Sequence, residues 1–217
     1  MPRTRADTEE TRRTILRAAH DLFTKLGYRA VTMRMVAEAS GVTHPLLYYH
    51  FADKEALFLE VQREQGANDR AAFERIAARK NTSLADRLVL IVRYLNRSSP
   101  QNMGLFFHEF RHELSPATQS ALAEIFQSGV FKPISDLFEE GIRTGFLQSP
   151  EAGGASPLQA TFLLLNLAAS LSTVPPIGNE HTYSNKAFGE KRDDATTMVV
   201  HTLIYGLAAR PAGESSS

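Results

Sequence analysis

The sequence predicts an all-α protein, with a small N-terminal bundle of three helices followed by a larger helical domain. Three observations lead there. Apolar residues recur at three- and four-residue spacings along most of the chain, as in Ile15, Ala18, Ala19, Leu22, Phe23 and Leu26, which is the period of a helix with one buried face. No stretch reads as a strand. At 217 residues and 43% hydrophobic content the chain can bury a real core, in one large domain or two smaller ones.

Residues 1–7 are polar and read as a loose arm, able to lie along a phosphate backbone or simply frayed. The first helix is expected from Thr8 to Leu26, with Gly27 ending it. Tyr28 to Val31 reads as a link. Thr32, a hydroxyl residue just ahead of the next helical pattern, reads as an N-cap. The second helix should run from about Met33 to Ala39 with Val36 and Ala37 inward, the small Ala37 letting another helix cross close by. Gly41 falls where the chain must reverse, a place for a residue that takes positive φ without a Cβ clash. Pro45 fits a helix only in its first turn, where its missing N–H forfeits no intrahelical bond, so the third helix should start near Pro45. Leu47 and Phe51, four apart, then point inward, which leaves His44, Pro45, Tyr48, Tyr49 and His50 to the helix flank and solvent.

Two short helices joined by a tight turn form a helix-turn-helix, and an exposed run of tyrosine and histidine on the second suits DNA. The run from Val36 to Leu57, with Gly41, Val42, Leu47, Tyr48, Tyr49, Phe51, Lys54 and Leu57 in register, resembles the DNA-binding region of the TetR family of bacterial transcriptional regulators. The resemblance implies a small N-terminal DNA-reading domain, a larger helical ligand-binding domain and a homodimer. It also implies that Thr32 and Lys54 lie near phosphates. Two positions depart from the family pattern: Leu46 stands where a small or hydroxylated residue would meet a phosphate, and Pro45 replaces the usual Gly, Ala or Ser. Pro45 can instead touch a thymine methyl group.

The remaining elements follow from the same signals. Asp53 should cap a long helix that continues to about Ala78, with Gly66 a weak point within it. After a turn at Arg79 to Ser83 comes a helix from about Leu84 to Asn96, ended by Ser98, Ser99 and Pro100. Gln101 to Leu114 reads as the next helix, and Ala117 to Arg143 as a longer one that Pro133 should kink and Gly145 should cap. Ser149 to Ser156 reads as a flexible loop. Two very apolar helices, about Pro157 to Thr173 and Asp194 to Ala209, flank a long polar loop over residues 175–193, and the tail from Pro211 to Ser217 should be disordered. The domains expected are thus 1–52 for DNA binding, 53–210 for ligand binding and dimerisation, and 211–217 as tail.

Charge gives a local clue only. With 24 basic and 24 acidic residues the formal net charge is zero, but between Arg3 and Arg34 the cations Arg3, Arg5, Arg12, Arg13, Arg17, Lys25, Arg29 and Arg34 outnumber Asp7, Glu9, Glu10 and Asp21. The absence of cysteine excludes disulfides and thiolate chemistry. No signal-peptide pattern opens the chain, and the most apolar stretch, Thr161 to Leu171, is too short for a bilayer, so a cytoplasmic protein without a membrane partner is expected. There is no phosphate loop of the G-x-x-x-x-G-K type and no G-x-S-x-G. His108-Glu109-Phe110-Arg111-His112 does match the H-E-x-x-H pattern of zinc peptidases. A catalytic zinc needs a third protein ligand, however, and Phe106, Phe107 and Phe110 make this helix a pocket wall. A third reading, a helical module that binds only proteins, would not need the helix-turn-helix residues.

The function expected is therefore a ligand-responsive repressor, not an enzyme, with no cofactor and no metal. Arg34, His44, Pro45 and Tyr48 should face base edges of double-stranded operator DNA, while Thr32, Tyr49, His50 and Lys54 meet phosphates. A small apolar or aromatic effector should be held by Met103, Phe106, Phe107, His108, Phe110, His112, Phe126 and Phe131. The two C-terminal helices, through Leu158, Phe162, Leu165, Leu167, Leu171, Val199, Leu203, Tyr205 and Leu207, carry more apolar surface than one chain need bury and should pair as a homodimer.

Overall fold

The computed structural model describes residues 5–98, 112–173 and 195–205. Its longer elements among these residues are all helices, and its contacts divide it into two units: 1–69 with 101–127, and 70–100 with 128–217. In the first unit, α1 (Arg5–Ala30) buries Ile15, Leu16, Ala19 and Phe23 on one face. Gly27 breaks it at φ 79°, as expected, but the next three residues resume a helical turn and are not an extended link. That turn sinks Tyr28 into the core, where its ring lies 4.9 Å from that of Phe58 and 6.0 Å from that of Phe23. Burial of a ring this large anchors the chain where α1 gives way to α2 (Met33–Ser40).

The motif is built as its sequence dictates. The Thr32 hydroxyl accepts from Met35 N–H at 3.3 Å, which satisfies one of the N-terminal donors that a helix leaves open. Gly41, at φ 68°, closes α2 by donating back to Ala37 and Glu38. Helix α3 (His44–His50) has Pro45 in its first turn and Leu47 fully buried beneath it. Phe51 follows as its C-cap, also buried. Helix α4 (Lys54–Ala77) starts where Asp53 accepts from Ala56 N–H at 2.7 Å and contributes Leu57, Phe58 and Val61 to the same core.

The segment after residue 111 joins this first unit as well. Ser115 caps α6 (Pro116–Phe126), and Leu114 and Leu122 pack in one cluster with Ile15, Val36, Leu47 and Leu57. Gly66 is not the weak point expected of it. A Cβ there would stand 2.6 Å from Ile125 Cγ2, so the glycine is a crossing point that lets α4 and α6 approach.

The second unit comprises the last turns of α4, α5 (Leu84–Ser98), α7 (Lys132–Arg143), α8 (Pro157–Thr173) and α9 (195–205). Phe73, Leu88, Ile91, Ile134, Leu137, Phe138, Leu164 and Ile204 fill its interior. Buried Arg87 ties three helices together, donating to Ala77 O at 3.0 Å and to both carboxylate oxygens of Glu140 at 2.7 and 3.1 Å. Pro133 disturbs the long helical stretch in a definite way. It has no N–H for the carbonyl four residues back and its ring crowds that carbonyl, so the chain widens into a π-helical turn, Gln127–Phe131, before α7 begins. Gly145, at φ 74°, follows the end of α7. The loop expected to be flexible is instead built: Gln148 Nε2 donates to Ala152 O across a 3-10 turn at Pro150–Ala152. The loop 175–193 and the tail lie outside the described residues.

Candidate nucleic-acid interface

The outer face of α3 presents what the inward pair Leu47 and Phe51 leaves over. Tyr49 is 74% and Tyr48 46% exposed, unusual values for aromatic rings on a helix with a buried face behind it. His44 and Pro45 are exposed at its start, while Leu46 and His50 are half-buried. The His44 and Tyr48 rings, one turn apart, meet edge to face at 5.1 Å, and Tyr49 meets His50 at 5.3 Å. Between α2 and α3 runs a shallow cleft lined by Arg34, Ala37, Glu38, Val42 and His44. Arg34 Nε donates to Glu38 Oε1 at 2.8 Å, and this hydrogen bond and charge hold the guanidinium further into its cationic form.

Lys54 is placed differently from the other expected phosphate contacts. Its ammonium donates to Tyr28 O and Val31 O, both at 3.1 Å, and lies 4.2 Å from the centre of the Tyr28 ring. The side chain thus bridges the α1–α2 connection and the first turn of α4, a role that no local sequence pattern announces. The Tyr28 hydroxyl is pushed up to about 12, by burial first and then by the nearby carboxylates Glu55, Asp53 and Glu113. Glu55 in turn accepts from Ser115 N–H and hydroxyl at 2.7 and 2.5 Å, and these bonds hold its carboxyl below the ordinary range.

The local excess of cations on α1 and α2 is largely matched. Arg12 bonds Glu60 and covers the Phe51 ring, Arg13 lies 3.6 Å from Glu9, Arg29 lies 3.9 Å from Glu113, and Arg34 is on Glu38. The pairs of Arg13 and Arg34 are one helical turn apart in sequence, but those of Arg12 and Arg29 are not legible there, because Glu60 and Glu113 are brought in from α4 and from the segment before α6.

Of the expected effector-binding residues, Met103, Phe106, Phe107, His108 and Phe110 lie outside the described residues, as does Glu109 of the H-E-x-x-H pattern. His112 is exposed. Phe126 is half-buried at the end of α6, and Phe131 packs against Phe162 at 5.0 Å in the second unit. Among the described residues no cluster of three or more metal-ligating side chains occurs.

Comparison with known proteins shows what this interface is similar to. The model for bacterial regulatory proteins of the tetR family matches residues 15–61, which takes in the core of α1, the whole motif and the start of α4. Over 57 residues the chain is 40% identical to the HTH-type transcriptional repressor AcnR of Corynebacterium efficiens, covering 26% of this chain and 30% of that protein. It is 30% identical over 136 residues to the HTH-type transcriptional activator FasR of Mycolicibacterium smegmatis, covering 60% and 62%. The matches therefore span less than two thirds of either curated relative. The whole fold is shared more widely: Salmonella enterica GusR superposes with a TM-score of 0.69 at 20% identity, covering 94% of this chain and 97% of that one.

Proposed function

We propose that this chain is a member of the TetR family of bacterial regulatory proteins, which its first helices resemble, and a ligand-responsive transcriptional repressor that binds a roughly palindromic operator as a homodimer and is released by a small apolar or aromatic effector. The observation that supports this best is α3 itself, whose inner face is buried while His44, Pro45, Tyr48 and Tyr49 stand exposed beside Arg34. Such a helix is shaped to enter a major groove, which admits one helix and shows a distinct donor and acceptor pattern for each base pair. In this reading Arg34, His44, Pro45 and Tyr48 meet base edges, and Thr32, Tyr49, His50 and Lys54 meet phosphates. Residues 1–52 read DNA, residues 53–210 bind the effector and the second copy, and residues 211–217 form a tail.

In this reading the H-E-x-x-H residues belong to a DNA-binding regulator and not to a peptidase, and the protein is not an enzyme. No helix among the described residues is long and apolar enough to cross a membrane, and a cytoplasmic location goes with the DNA-binding role. AcnR is named a repressor and FasR an activator, so a promoter-reporter assay decides the sense of control. The test of the reading is a gel shift with the DNA upstream of the protein's own gene. Retardation of that duplex over a random-sequence competitor is expected. Failure to retard any duplex, or zinc-dependent peptide cleavage in its place, would sink it.

A further inference from the structure

Glu38 lies on the outer face of α2, one turn after Arg34, and its Oε1 accepts from Arg34 Nε at 2.8 Å. The two side chains are 82% and 64% exposed, so the pair does little for the fold. Glu38 also lines the cleft between the motif helices, where it is the only carboxylate among the five lining residues and shares the space with His44. A carboxylate on a surface that approaches DNA opposes sequence-independent binding, since that binding is driven by neutralised phosphates and released counterions.

The contact with Arg34 has a second effect. A guanidinium can present either its Nε side or its two terminal nitrogens to a pair of acceptors. With Nε on Glu38, the edge left for a bidentate contact is the terminal one, which fits guanine O6 and N7. Holding Nε also limits the roll of the guanidinium before DNA arrives, so less ordering is left to be done on binding. We infer that Glu38 is a specificity-determining residue, which buttresses Arg34 for reading a guanine and suppresses the attraction of Arg34 to phosphates at large. This rests on the DNA-reading function proposed above.

The test uses the full-length protein and two probes: a duplex selected by the wild-type protein from a random library, and a random-sequence duplex of equal length. Glu38→Ala should tighten binding to the random duplex and steepen the salt dependence by about 0.9 in slope, as Arg34 becomes available to one more phosphate. On the selected duplex it should lower discrimination at a single G·C pair by about tenfold. Glu38→Gln, which keeps an oxygen acceptor for Nε and removes the charge, should tighten binding to random DNA without the added slope, since Arg34 stays held, and should restore the discrimination. Both variants should melt as the wild type does. The inference is overturned if Glu38→Ala leaves the ratio of selected to random affinity within about twofold of wild type, or if Glu38→Gln discriminates no better than Glu38→Ala. If the wild-type protein enriches no duplex at all, the DNA-reading function fails first and this inference with it.

Discussion

Lys54, expected from the sequence to meet a phosphate, has a structural task as well. Its ammonium, shared between Tyr28 O and Val31 O, fixes the end of the α1 turn relative to the first residue of α4, and Thr32 and Arg34 follow directly from that point. Removing it leaves two partly buried carbonyls without their cation, a loss of about 1–3 kcal/mol for hydrogen bonds to a charged group. Lys54→Ala should therefore lower the denaturant midpoint of unfolding as well as the affinity for DNA, by a similar factor on selected and random duplexes. A phosphate contact alone would reduce the salt slope by about 0.9 and leave the midpoint where it was. Measuring both on one preparation separates the two, and an unchanged midpoint would refute the bridging role. Arg34 makes the opposite case. Exposed, and held among the described residues by Glu38, it should be replaceable by Ala without a change in midpoint, while discrimination at one base position should fall about tenfold.

The elements whose ends are set by local chemistry were legible in the sequence. Thr32, Gly41, Pro45 and Asp53 each act on backbone within four residues of themselves, and α2, the turn, α3 and the start of α4 fall where those residues put them. What was not legible depends on partners far along the chain: the packing of Leu114 and Leu122 among residues of α1 to α4, the matching of Arg12 and Arg29 by distant glutamates, and the contact that Gly66 permits. Helical period says which face of a helix is buried and is silent on what covers it. Gly66→Ala tests one such contact. Alanine favours a helix over glycine by about 0.5–1 kcal/mol, but a Cβ 2.6 Å from Ile125 Cγ2 overpacks the crossing at about 1–3 kcal/mol. The thermal midpoint should fall, and adding Ile125→Ala should cost the Gly66→Ala protein less than it costs the wild type. Additive losses would show that the two side chains do not compete for the space. The Arg87 clamp in the second unit gives a pH signature. Its hydrogen bond outweighs desolvation and holds the Glu140 carboxyl below the ordinary range, near 4.3 for a free glutamate. A lowered folded-state value means stability present above the unfolded value and lost as pH falls through the folded one. The gap in urea midpoint between wild type and Glu140→Gln should be full at neutral pH and close below about pH 4, and a gap constant down to pH 3 would count against the assignment.

The helices α8 and α9 each have two apolar faces, which is the strongest argument about the molecule as a whole. Ala160, Leu164 and Ala168 on one helix and Val200 and Ile204 on the other are buried within the second unit. Leu158, Phe162, Leu163, Met198 and Tyr205 are nevertheless between 47% and 64% exposed. A hairpin core would need only the first set. The second set supports a two-fold interface with another copy, in which a patch meets itself. Phe162→Asp should then place a carboxylate in each half of that interface, and light scattering at micromolar concentration should find dimers for the wild type and monomers for the variant. A monomeric wild type would refute the assembly. Under the proposed function, two heads held this way would read half-sites in successive major grooves, roughly 34–36 Å apart or a multiple of that, and the separation of the heads is what an effector would change. Helix α4 supplies Lys54–Asp69 to the first unit and Arg70–Ala77 to the second, and its Lys54 end holds the motif through the Tyr28 and Val31 carbonyls. An effector that prefers one position of α4 would, under the proposed function, prefer one spacing of the heads. In the same proposal operator DNA prefers the other, and it would then oppose the effector by the same free energy, because linkage between two binding sites is reciprocal. The expected coupling is about 1–3 kcal/mol, so saturating operator should weaken effector binding by the same factor, about 5- to 150-fold, by which saturating effector weakens operator binding. Isothermal titration of an effector into the free dimer and into the operator complex measures it. Equal affinities would leave the fold and the DNA contacts standing and remove α4 as the link between them.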